Sequence, residues 1–196
     1  MLLVSHTDSL KDKPVIKDLT SYLRSKASSE PSLSALKDLL SQDPIPPVGL
    51  ILTERLINMP AEVVPPMYNM LMEEMAWALE DKEPYNFTHY LIVSKTYEEV
   101  ESKLDMEESR PQKKKKKSAG NTERFYFHPE DEVLERHALC SGAIEYTHEH
   151  DEGHSDSKRA FQELGIKTSA NLILMEAAKF EPAVKNMLEY FKSPVG

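Results

Sequence analysis

An α/β (α+β) fold, a mixed twisted sheet flanked by helices within a single domain spanning residues 1–196, is what this sequence predicts. Three observations carry the expectation. Stretches with apolar residues at 3.6-residue spacing alternate with short, β-branched apolar runs. No internal repeat interrupts that alternation, and 196 residues fall in the range of one domain with one core. Hydrophobic residues make up 40% and charged residues 29%, the balance of a globular chain with room for polar loops.

The chain opens on "MLLVS", which has the look of a strand's end. "KDKPVIKDLTSYLRSKA" then reads as a helix, with Asp12 as N-cap, Pro14 early, and Val15, Ile16, Leu19, Tyr22 and Leu23 as its apolar stripe. "SEPSLSALKDLLSQ" gives a shorter helix with Leu33, Leu36, Leu39 and Leu40 aligned. "DPIPP" ends it, because proline lacks an N–H and disfavours helix in the residue before it. "VGLILTERL" is a buried strand. "NMPAEVVPPMYNMLMEEMAWALED" is the longest helical pattern. Pro65 and Pro66 sit in its first turn, Val64, Met67, Leu71, Met75 and Ala78 form its apolar face, and Asp81 lies near its end.

"FTHYLIVSKTY" is the second clear strand. Residues 105–123 are expected to form a flexible loop that passes from acidic to basic, its basic part from Arg110 offering almost no apolar surface to fold around. Order resumes at "RFYFH", a strand alternating Phe125, Tyr126 and Phe127. "PEDEVLERHA" is a helix whose first-turn acids suit the helix dipole. "LCSGAIEYT" and "NLILMEAAK" are strands separated by a polar loop. "EPAVKNMLEYFK" closes the chain as a helix with Val184, Met187, Leu188 and Phe191 inward. The total is about five strands and four or five helices by this pattern reading.

Apolar runs such as "LILMEAA" are far shorter than a membrane span, so no membrane insertion is expected. "MLLVSHTDS" turns polar too soon for a secretory signal. The single Cys140 excludes an internal disulfide and fits a reducing compartment. The formal net charge is -9, although Lys113, Lys114, Lys115, Lys116 and Lys117 form an unbroken basic run. The rest of the chain is therefore more acidic still. Such a body repels phosphate backbones and attracts basic partners, which argues against direct nucleic-acid binding. A nucleic-acid footprint would interleave the lysines with aromatics. Here six acids, Glu98, Glu99, Glu101, Asp105, Glu107 and Glu108, precede them instead. A short basic cluster in an extended segment suits an import receptor, so a nuclear address is preferred to a bare solvated loop or a membrane-surface contact.

Several blocks carry a resemblance. "KDKPVIKDLTSYL", "VGLILTERLINMPAEVVPPMYNMLMEEM", "YFHPEDEVLERHA" and "ANLILMEAAKFEPAVKNMLEYF" resemble the BCCIP/Bcp family of eukaryotic nuclear proteins, with wording similar to its fungal Bcp members. The likeness runs from about Lys11 to Phe191. Members carry an acidic tail and further elements upstream of "KDKPVI", so the chain is expected to lack N-terminal elements of the fold. The resemblance implies a sheet similar to that of the GNAT acetyltransferases without established catalysis. It implies an adaptor or chaperone in nucleus and cytoplasm that supports nuclear export and shields a basic large-subunit ribosomal protein. Nuclear import and export receptors and a lipid kinase are the further partners, with links to actin organisation and vesicular transport. The alternatives are a cryptic GNAT-type acyltransferase and a cell-cycle or DNA-repair adaptor.

The residues themselves favour a binding protein. Acetyl-CoA binding needs a Gly-rich loop, yet Gly49, Gly120, Gly142, Gly153, Gly165 and Gly196 are all far apart. No catalytic residue, cofactor or metal site is expected. His148, His150 and His154 with Asp151 and Glu152 could ligate zinc, but Gly153 breaks any aligning helix and a solvated loop is the better account. Cys140 beside His137 is expected to be a buried, inert thiol. Met67 and Met75 belong to the core by periodicity. Met70, Met72 and Trp77 point elsewhere and, with Glu98, Glu99 and Glu101, are the candidates for partner contact.

Overall fold

The computed structural model describes residues 2–5 as backbone, and residues 13–53, 59–100, 124–146 and 165–192 in full. The described elements run β1 (Leu2–Ser5), α1 (Pro14–Ser29), a 3₁₀ turn (Pro31–Leu33) leading into α2 (Ser34–Leu40), and β2 (Val48–Leu52). A second 3₁₀ turn (Ala61–Val63) opens α3 (Val64–Glu80), followed by β3 (His89–Glu99) and β4 (Arg124–Tyr126). α4 (Glu130–Glu135), β5 (Cys140–Ile144), β6 (Ile166–Glu176) and α5 (Ala177–Lys192) complete the order. The mixed α/β class holds, with six described strands in one sheet.

The sheet order is β1-β2-β3-β6-β5, and β4 also pairs with β3. β2 runs parallel to β3, and every other pair is antiparallel. β3 is the spine. One side of it is bonded to β6 over its full length, from His89↔Glu176 to Glu99↔Ile166. The other side is shared, β2 taking His89 to Val93 and β4 taking Thr96 to Glu98.

Alternation along the strands builds two cores, because successive side chains leave a strand on opposite faces. On one face Ile51, Tyr90, Ile92, Ile173 and Met175 meet α3, α4 and α5. On the other Val48, Leu91, Leu172 and Leu174 meet α1 and α2. Each half is thus a helical layer pressed on an apolar sheet face. The leucine stripe of α2 is where its spacing predicts, Leu36, Leu39 and Leu40 being buried. Leu33, in the turn before it, is fully buried too. That turn crowds β5 closely: a Cβ at Gly142 would lie 2.9 Å from Leu33 Cγ and would overlap the Ser32 hydroxyl.

Four expectations need correction. In α1, Lys13 holds the N-cap place, whereas Asp12 lies outside the described residues. Val15 is 74% exposed and Tyr22 is exposed as well, because the sheet-facing stripe passes through Leu23 and Ala27 and leaves both outside its width. In α3, Met67 is exposed and Tyr68 takes the inward place, one turn after Val64. The Tyr68 ring meets Phe180 edge-on at 5.8 Å, a ring contact that the outward-turned Met67 beside it does not offer. The last helix starts at Ala177, one turn before the expected Glu181, and carries Pro182 inside it. Burial of Phe180, whose ring lies 4.5 Å from that of Tyr90, offsets the backbone bond that Pro182 forgoes.

Candidate functional site

Along the α3–α5 face of the sheet, chemistry changes from one end of β3 to the other. Tyr90 and Ile92 are apolar, but the next residues on that face are Ser94 and Thr96, both buried. Asn171 on β6 stands opposite Ser94 and is fully buried. Buried polar groups need partners, and α4 supplies them. Asp131 accepts the Ser94 hydroxyl. Glu135 accepts from Asn171 Nδ2 at 2.8 Å through Oε1, and from the Tyr126 hydroxyl at 2.6 Å through Oε2.

The "HPED" turn places His128 and Glu130 in the same buried layer, with Asp131 beside them. The first-turn acids of α4 therefore do more than meet the helix dipole. Two of them, Glu130 and Asp131, are buried, and only Glu132 reaches outward, to Arg136 at 2.6 Å. Tyr126 has its pKa pushed up, first by burial and then by its bond to Glu135.

This network fixes α4 to the sheet. In a nucleophilic triad, an imidazole stands between hydroxyl and carboxylate. Ser94 instead meets the Asp131 carboxylate directly, and both are buried. Sequence pattern concealed Asp131 and Glu135, since acids in a short helix read as surface. The signals that could have found them are Ser94 and Thr96 within "LIVSKTY" and Asn171 leading "NLILM", polar residues in strands otherwise built for a core.

The predicted partner residues fall apart into distinct places. Met70 and Trp77 are 59% and 61% exposed on α3, as outward-facing contacts must be. Met72 is not: it is half-buried against the first core, because it lies next to the buried stripe of Tyr68, Leu71 and Met75. Glu98 is half-buried at the far end of β3, opposite Lys167 on β6, and Glu99 beyond it is exposed. Lys167 has its pKa raised, chiefly by its 2.6 Å contact with Glu145, with Glu98 contributing less. Glu98 and Glu99 are thus remote from Met70 and Trp77 in the chain and on a different element. Glu101, Lys113 to Lys117, the 105–123 loop and the His148, His150 and His154 group lie outside the described residues.

Cys140 opens β5 half-buried rather than fully buried, and burial raises its thiol pKa. His137 does not pair with it, as its Nε2 lies 2.9 Å from Asn186 Nδ2. Among the described residues, no group of three or more His, Cys, Asp or Glu side chains could hold a metal ion. Among them also, no helix is long and apolar enough to cross a membrane.

Comparison with known proteins places this arrangement. The family model described as BCCIP matches residues 2–134. A protein of Aspergillus fumigatus named Protein bcp1 is 76% identical over 194 residues, covering 99% of this chain and 67% of its own length. Protein bcp1 of Schizosaccharomyces pombe is 45% identical over 197 residues, covering 98% of this chain and 69% of its own. The crystal structure of BCP1 from Saccharomyces cerevisiae matches with a TM-score of 0.54 at 22% identity, over 94% of this chain and 60% of that one. That structural likeness shows a shared fold. The chain spans about two thirds of the length of these curated relatives and 60% of the solved chain.

Proposed function

The chain belongs to the BCCIP family, and from that premise we propose that it is a non-enzymatic adaptor and chaperone for a basic client. The observation that supports this most is charge: a formal net charge of -9 on a chain that also carries five consecutive lysines. An acidic, folded surface lowers the free energy of a basic protein beside it and competes with the nucleic acid that would otherwise capture it. Shielding by this means needs no catalytic group, and the carboxylates of buried Asp131 and half-buried Glu135 hold α4 in place.

The client in this proposal is a basic large-subunit ribosomal protein, held until handover. Lys113 to Lys117 serve as the address read by an import receptor, and an export receptor returns the protein, so it cycles between nucleus and cytoplasm. A lipid kinase is a further cargo, connecting the protein to actin organisation and vesicular transport. A GNAT-like shape would leave acyl transfer as the rival activity, and acetyl-CoA binding in solution would favour that rival.

The test is co-purification with a basic large-subunit ribosomal protein at near-physiological salt. A stoichiometric complex that keeps the client soluble, weakens with added salt and excludes DNA is the expected result. No complex at low salt would end the shielding proposal. Alanine replacement of Lys113 to Lys117 in a fluorescent fusion tests the address, with loss of nuclear accumulation expected.

A further inference from the structure

α3 carries a second pattern on its outer face. Val63 at its lead-in, then Met67, Met70, Glu74 and Trp77, recur at alternating steps of four and three residues. That spacing keeps side chains on one seam facing a partner helix. All five are exposed, while the inward stripe of Val64, Tyr68, Leu71 and Met75 holds α3 to the core. Single exposed apolar residues are ordinary on a protein surface. Four large ones in register along one helix are a patch, and methionines make such a patch adaptable to its partner.

Along α3 and its lead-in the charges are of one sign, up to Lys82 just past the helix end. Between Met59 and Asp81 stand Glu62, Glu73, Glu74, Glu80 and Asp81, all exposed, and there is no Lys, Arg or His. A second copy of the chain would bring the same carboxylates against these, and an anionic membrane surface would be repelled likewise. A cationic partner gains at every one of these positions.

We propose that the outer seam of α3 is the docking surface for an amphipathic helix of a basic protein. The partner's apolar stripe packs on Met67, Met70 and Trp77, and its Lys and Arg flanks face Glu73, Glu74 and Glu80. This is the helix-in-groove mode of recognition with an acidic rim. It rests on the reading of the chain as a carrier of basic clients, and names the surface that reading needs.

Trp77 is the only tryptophan in the chain, so its fluorescence reports the seam directly. The probe is a synthetic three-heptad peptide with Leu at the seam positions and Lys beside them. A Leu/Glu counterpart and a scrambled Leu/Lys peptide serve as comparisons. The Leu/Lys peptide is expected to shift Trp77 emission to the blue and to saturate, and the other two are not. Met70→Lys combined with Glu74→Lys should weaken that binding by about tenfold or more, with the circular dichroism spectrum unchanged. Glu181→Lys, on exposed α5 surface, should leave it as it is. Equal binding of the scrambled peptide, silence of Trp77, or a shift with protein concentration alone would overturn the proposal. The same double variant is then taken through client co-purification. A client held equally by variant and wild type refutes the seam and leaves the carrier reading standing. A client held by neither, with the peptide shift intact, refutes the carrier reading and leaves the seam standing.

Discussion

Asn171 and Glu135 meet across 2.8 Å, the amide of a fully buried strand residue donating to a carboxylate on the helix above it. The same carboxylate takes the Tyr126 hydroxyl on its other oxygen, so one side chain joins β6, β4 and α4. Glu135→Ala strands the Asn171 amide, and stability should fall by about 2–3 kcal/mol, the cost of a buried group left without its charged partner. Glu135→Gln retains an acceptor and should cost less. Urea midpoints of the three proteins decide it, and an unchanged midpoint for Glu135→Ala would mean that α4 is held without the Glu135 bonds.

Tyr126 gives the fold an alkaline limit. Burial, then its bond to Glu135, raises its pKa, and burial alone raises that of Tyr90. An unfolded tyrosine ionises near pH 10, at about its ordinary value. The fold thus keeps a proton that the unfolded chain releases, so this stability is fully present below about pH 10 and is lost as pH rises beyond it. The denaturation midpoint should fall on going from about pH 9 to about pH 11, and less steeply in Tyr126→Phe. Parallel slopes would remove Tyr126 as the cause.

Gly142 tests how tightly β5 lies under the Pro31–Leu33 turn. A methyl there would meet Leu33 Cγ at 2.9 Å, and Gly142→Ala should destabilise by about 1–3 kcal/mol through overpacking. Ser32→Ala in the same chain removes one of the two obstacles and should recover part of the loss in a thermal melt.

The two edges of the first helical layer separate periodicity from burial. Val15→Ser changes a residue that is 74% exposed and should leave the midpoint within about 0.5 kcal/mol of wild type. Leu36→Ala empties a fully buried place and should cost about 2–5 kcal/mol. A large loss from Val15→Ser would restore that residue to the core.

Much of this fold was legible because its elements repeat one period cleanly. Leu36, Leu39 and Leu40 can satisfy only one helix face, and "VGLIL" has the length and branching of a buried strand. Met67 and Tyr68 show where that legibility ends. Both neighbours suit an apolar stripe at the ragged first turn of α3, and the choice depends on the ring of Phe180, more than 100 residues away in sequence. Val15 failed for a related reason, since a stripe wide enough to include it exceeds the surface the sheet presents. Of the partner-contact candidates, Met70 and Trp77 were readable as outward residues because they fall off the stripe of Leu71 and Met75. Met72 was not, because it borders the buried stripe of Tyr68, Leu71 and Met75, and how far burial spreads beyond that stripe is not set by periodicity. The carboxylates of α4 were hidden by composition: acid at a helix start has a sufficient local explanation, and only the strand beneath reveals the other one.

The pairing of β3 with β6 reaches from His89↔Glu176 to Glu99↔Ile166, and this has a consequence during synthesis. Strands that lie side by side at the centre of the sheet leave the ribosome far apart in time. Until β6 emerges, β3 lacks its full-length neighbour and the Phe180 ring that packs on Tyr90, and that side of the strand stands open to other nascent chains. Closing so long a loop is slow compared with forming α1 or α3. A protein proposed to shelter others thus leaves an edge of its own central strand unpaired from the end of β3 until β6 is made.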